Sequence, residues 1–114
     1  MDDLTQLVTK LLAQTQTVRC QFLAIELQTC RFALYFGALQ VELEAWDMAR
    51  REVYFVENAC ETILRFLPEI EDKEMRNQFA TELEQVRESL HTLQEVEGSF
   101  WRSSIIHSPD TTAA

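Results

Sequence analysis

Between Asp2 and Leu67 the chain has one glycine, Gly37, and no proline. Sheets need frequent turns and turns need breaker residues, so a stretch this poor in them reads as long helix. The whole chain of 114 residues holds only two glycines and two prolines, where about 7% and 5% are usual. Its size suits one core. The predicted fold class is all-α: long antiparallel helices forming a helical hairpin or a three-helix bundle, completed by dimerisation. We expect residues 1–102 to form this bundle and residues 103–114, with Ser108, Pro109 and Asp110, to be a flexible tail.

The first sure break is Leu67-Pro68, because proline lacks the amide donor and disfavours helix in the residue before it. After it, Glu69, Glu71, Asp72 and Glu74 suit the positive end of a new helix. Phe79, Leu83, Val86, Leu90 and Leu93 then recur at alternating spacings of four and three, which marks one apolar helix face. Gly98 is a candidate cap, and Phe100 and Trp101 are a last apolar anchor.

Upstream of the break the pattern is double. One stripe holds Leu4, Leu7, Leu11, Val18, Phe22, Ile25, Phe32, Phe36, Leu39 and Leu43. A second, nearly opposite, holds Leu12, Leu23, Leu27, Cys30, Leu34, Val41 and Met48 and continues through Phe55, Ala59, Ile63 and Phe66. Each large side chain left in water forfeits roughly 1.5–3 kcal/mol, so both stripes require cover. Two architectures supply it. In one, the segment folds near residues 44–50, with Asp47 as cap, into three helices of comparable length. In the other, which we favour, one very long helix pairs with the C-terminal helix and its N-terminal half is covered by another subunit. Val18, Phe22, Ile25, Phe32, Phe36 and Leu39 are the expected oligomer interface.

Charge supports that preference. The net charge is −9, yet residues 1–40 carry three acids and three bases, whereas residues 68–114 carry ten acids and four bases. Gln6, Gln14, Gln16, Gln21, Gln28 and Gln40 stand where an exposed helix usually carries Glu and Lys. An acidic chain repels nucleic-acid backbones and anionic lipid and is compatible with a basic protein partner. The apolar run Phe32–Leu39 is short for a membrane span, and Asp2 and Asp3 stand where a signal peptide carries positive charge. The expectation is therefore a cytoplasmic protein without membrane insertion.

Little here suggests chemistry. Glu88 and His91 have the Glu-x-x-His spacing of di-iron bundles, but they lie on the face opposite Val86, Leu90 and Leu93, where such ligands would have to project inward. The only other histidine is His107, in the expected tail, and two glycines cannot build a phosphate-binding loop. Cys20, Cys30 and Cys60 lack metal or redox spacing and read as small buried hydrophobes. No catalytic residue, cofactor or metal is expected. Trp46, Tyr54 and Phe55 beside Arg50 and Arg51 have the make-up of a recognition patch, but Trp46 and Phe55 read as core residues, with the arginines balancing Glu42, Glu44, Glu52 and Glu57. Phe100, Trp101 and Arg102 are candidates for binding a partner. The leading expectation is a non-enzymatic, self-associating interaction protein: an adaptor, scaffold component or small regulator. The alternatives are an acidic escort that holds an amphipathic client segment and a di-metal four-helix assembly.

Overall fold

A computed structural model describes residues 2–106, with side chains to Ser103. Those residues form three α-helices packed against one another: α1 (Asp2–Glu42), α2 (Trp46–Phe66) and α3 (Lys73–Ile106). Leu67–Glu69 is a single 3₁₀ turn. The all-α expectation holds, but the favoured unbroken helix through residue 66 does not. The chain turns at residues 43–45, and the helices of 41, 21 and 34 residues are not of comparable length either.

The turn is a helix C-cap built without glycine. Glu44 has φ 59°, its N–H donates to the Val41 carbonyl, and the next amide, Ala45, donates to the Gln40 carbonyl at 2.7 Å. Those two bonds are the Schellman pattern, whose left-handed position normally takes glycine. A β-carbon there costs about 1–2 kcal/mol. Asp47 is not the cap of α2. Ala45 holds that position without a side-chain hydrogen bond, and Asp47 lies in the first turn.

The second connection is fastened by polar side chains. The Gln16 amide donates to the Glu69 carbonyl and accepts from the Glu71 N–H at 3.1 and 3.0 Å. Arg76 donates to the Ile70 carbonyl at 2.9 Å, and Ile70 itself is fully buried. An Asp72 carboxylate oxygen accepts from the Met75 N–H at 3.0 Å, which caps α3. Gly98 does not end α3; the helix runs through it and through 103–106 of the expected tail. The rest of that tail, with His107, lies outside the described residues.

The core joins Leu23, Leu27 and Cys30 of α1 to Val53, Val56, Cys60 and Ile63 of α2 and Phe79, Leu83, Val86, Leu90 and Leu93 of α3. Gly37 marks a close approach, since a β-carbon on it would lie 2.7 Å from Leu93 Cδ2 and 3.4 Å from Glu52 Cβ. Two residues of the second stripe, Met48 and Phe55, are not in this core and are about half exposed. The turn shifts the helical phase by one residue, so Ala49 and Val56 point inward in their place. Leu12 is also exposed, for a different reason: every residue from Asp2 to Thr15 is exposed. That first part of α1, roughly 20 Å long, extends past the body. The molecule measures 80 × 24 × 19 Å, with a radius of gyration of 20.3 Å where a compact chain of this length has about 13 Å.

Replacing Glu44 with glycine removes the β-carbon strain. Glu44→Gly is expected to stabilise the fold by about 0.5–1 kcal/mol, less than the full strain because glycine also loosens the unfolded chain. Glu44→Val should destabilise it, both read as shifts in the urea midpoint at constant slope.

Candidate functional site

The largest unexplained feature is the outward face of α1. Leu4, Leu11, Val18, Ile25, Phe32 and Leu39 recur every seventh residue, and all are at least one-third exposed. Four residues after each stand Val8, Thr15, Phe22, Thr29, Phe36 and Leu43. Together they make an unbroken alternation of four and three along the whole helix, the spacing of a coiled-coil seam. Ile25 is 61% and Phe32 56% exposed, so the seam's centre, like its ends, carries bare apolar side chains. Leu23, Leu27, Cys30 and Ala33 face the other way, into the core.

The six expected interface residues Val18, Phe22, Ile25, Phe32, Phe36 and Leu39 are thus brought onto one exposed surface. Phe22 is the most engaged of the aromatics, meeting the Phe66 ring edge to face at 5.7 Å. Three members escaped the sequence analysis: Val8, Thr15 and Thr29. Strict heptad counting would have found them, but the threonines read as polar interruptions. Their hydroxyls donate to the Leu11 and Ile25 carbonyls one turn back, at 2.9 and 2.8 Å. Each hydroxyl is thus already partnered within its own helix, so covering these threonines orphans no donor.

The flanks of the seam are mostly neutral. Gln14, Gln21, Gln28 and Tyr35 follow one edge, and Leu12, Arg19, Glu26 and Ala33 the other. Beside the glutamine edge, between α1 and α3, lies a groove of about 940 Å³ walled by Phe32, Tyr35, Met75 and Phe79, with Gln28 at its rim. Arg31 and Glu82 bridge it at 3.8 Å.

The two aromatic groups at the far end form one cluster. The Trp46 ring stacks on Phe100 at 4.2 Å and 6°, Phe100 meets Trp101 edge to face, and the Arg50 guanidinium lies 5.1 Å from the Trp101 ring centre. Arg50 Nε also sits 3.6 Å from the carboxylate of Glu97, the one buried charged residue among the described residues. Phe100 and Trp101 therefore pack back on α2, while Arg102 remains exposed. Phe55, expected in the core with Trp46, stands out in solvent.

His91 and Glu88 are exposed on α3, and His91 Nε2 lies 3.0 Å from Glu95 Oε1 on its own helix. No group of three or more metal-ligating side chains occurs among the described residues. Cys30 and Cys60 are buried across the α1–α2 contact, and the hydrogen bond between the two thiols, together with burial, pushes the Cys30 pKa up. Cys20 lines the groove and is partly exposed. Among the described residues, α1 alone is long and apolar enough to cross a membrane by length and composition.

Comparison with protein-family models, with curated proteins and with solved structures finds no match.

The cysteine environments give a direct check. Because a thiol reacts as its thiolate and needs access, a water-soluble disulfide reagent should titrate one thiol per native chain, at Cys20. It should reach three only after denaturation, and labelling of Cys30 or Cys60 in the folded protein would contradict this packing.

Proposed function

We propose that this chain is a non-enzymatic interaction protein that self-associates through α1, an adaptor, scaffold component or small regulator whose working unit contains two copies. The observation that carries the reading is the exposed heptad seam from Leu4 to Leu43. A soluble monomer rarely leaves an apolar patch beyond a few hundred Å² in water, and patches of that size mark contact sites. Closed twofold dimers are the commonest soluble assemblies. Ten apolar seam residues, each exposing about 100 Å², present on the order of 1,000 Å² per chain and about 2,000 Å² across two, which reaches the range of obligate homodimers.

The first fourteen helical residues add a second reason. An isolated helix of that length is marginal in water, and none of the other described residues covers it. In a bilayer, Arg19, Glu26 and the glutamines flanking the seam would each have to enter hydrocarbon, at up to about 3 kcal/mol for each charge. The same charges sit comfortably at the rim of a protein contact.

The groove between α1 and α3 supports a second reading, an escort that receives an apolar stretch of a client helix beside the seam. The acidic face of α3 remains available to a basic protein partner, a contact that salt would weaken.

The test is the oligomeric state. Light scattering at micromolar concentration should give twice the 13.3 kDa chain mass. Ile25→Glu and Phe32→Glu, which bury a charge at the seam, should each weaken the dimer by at least about a hundredfold. A wild-type monomer that stays in solution contradicts the reading, and a monomer that floats with lipid vesicles moves the seam's partner to a membrane.

A further inference from the structure

We infer that the two copies pair through α1 antiparallel, about a twofold axis that passes between Leu23 and Ala24. The inference rests on the self-association proposed above and adds its orientation and register.

Three observations fix it. The first is side-chain size. In this register Thr15 faces Phe32 of the second copy, Leu11 faces Phe36, Val8 faces Leu39, and Phe22 faces Ile25. Phe32, Phe36 and Leu39 from the second half of the seam each meet a smaller residue from the first, and at the centre Phe22 meets the smaller Ile25. Interiors are packed at near-crystalline density, which favours such alternation. An in-register parallel pair would instead set Phe22, Phe32 and Phe36 against themselves, with a layer of paired Thr29 between Phe22 and Phe32 and another of paired Thr15 before them.

The second is charge. On the Arg19 edge the flanks of an antiparallel pair meet their own kind, so Arg19 lies beside Glu26 of the second copy and Glu26 beside its Arg19. The pair forms twice by symmetry. Among the described residues Glu26 has no ion pair within its own chain, and Arg19 reaches only the Glu69 carbonyl, at a limiting 3.5 Å. In a parallel pair the cross-chain neighbours of these charges are glutamines, Gln14 and Gln21, and the charges go unanswered.

The third is the overhang. Antiparallel pairing lays Asp2–Thr15 along the second copy's α1 where α2 and α3 back it, so the bare end of each chain becomes a fourth helix on the other. Parallel pairing would leave two overhangs supported only by each other.

Spin labels distinguish the outcomes. With Cys20 changed to serine and Cys30 and Cys60 buried, one label is placed at Thr9→Cys and, separately, at Ala24→Cys. Antiparallel pairing puts the two Thr9 labels about 45–50 Å apart and the two Ala24 labels about 25 Å apart, from helix rise and interaxial spacing. A short distance at both positions means a parallel pair and overturns the register while leaving self-association standing. No dipolar coupling at either position means a monomer, and both readings fall. A charge exchange supplies an independent measure. Arg19→Glu and Glu26→Arg should each weaken the dimer about tenfold, since two pairs turn repulsive. The double variant should return to within about twofold of the wild type, and failure to recover contradicts the Arg19–Glu26 contact.

Discussion

Everything in this structure follows from a helix that is apolar on two opposed faces. α1 buries Leu23, Leu27 and Cys30 against α2 and α3 and leaves Val18, Ile25 and Phe32 in water. A helix usually has one core face because one face suffices to hold it to its neighbours. Apart from Phe22 against Phe66, the second face adds little to the folding of a single chain, and its persistence over twelve consecutive heptad positions is what motivates the proposed partner of the same length. A second copy supplies that length without requiring any other molecule.

The inner face is built with similar economy. Gly37 lets α1, α2 and α3 converge where a side chain would collide with Leu93, and at the other end of the body the Gln16 amide bonds α1 to the chain entering α3. The Trp46–Phe100 stack and the Arg50–Glu97 contact close the far end of α2 against α3. Burying Glu97 is costly, and Arg50, itself held over Trp101, offsets part of that cost. These fastenings leave the outward face of α1 untouched, so assembly through it requires no rearrangement of the body.

The helices were legible because hydrophobic period survives without any other information: the Phe79–Leu93 spacing placed the α3 face correctly, and both α1 stripes were visible. The turn at 43–45 was obscured because its left-handed position is filled by Glu44 instead of glycine. Read as continuous helix, the sequence kept its phase across the break and assigned Met48 and Phe55 inward, one residue out of register with Ala49 and Val56. The aromatic cluster was seen as two patches, since sequence spacing alone cannot bring Trp46 to Phe100. Thr15 and Thr29 were passed over because a hydroxyl counts as polar until its bond to the preceding turn is known.

The central claim, that α1 is completed by another copy, is tested most directly by amide hydrogen exchange of the unaltered protein at two concentrations. Residues 4–15 are all exposed, and no other described helix covers them, so slow exchange there reports cover by a second chain. At tens of micromolar their amides should exchange as slowly as those of the α1–α2 core. On dilution below the dissociation constant they should exchange near the unfolded rate while Leu23–Cys30 stays protected. Fast exchange of residues 4–15 at every concentration, or protection that does not change with dilution, would contradict the account.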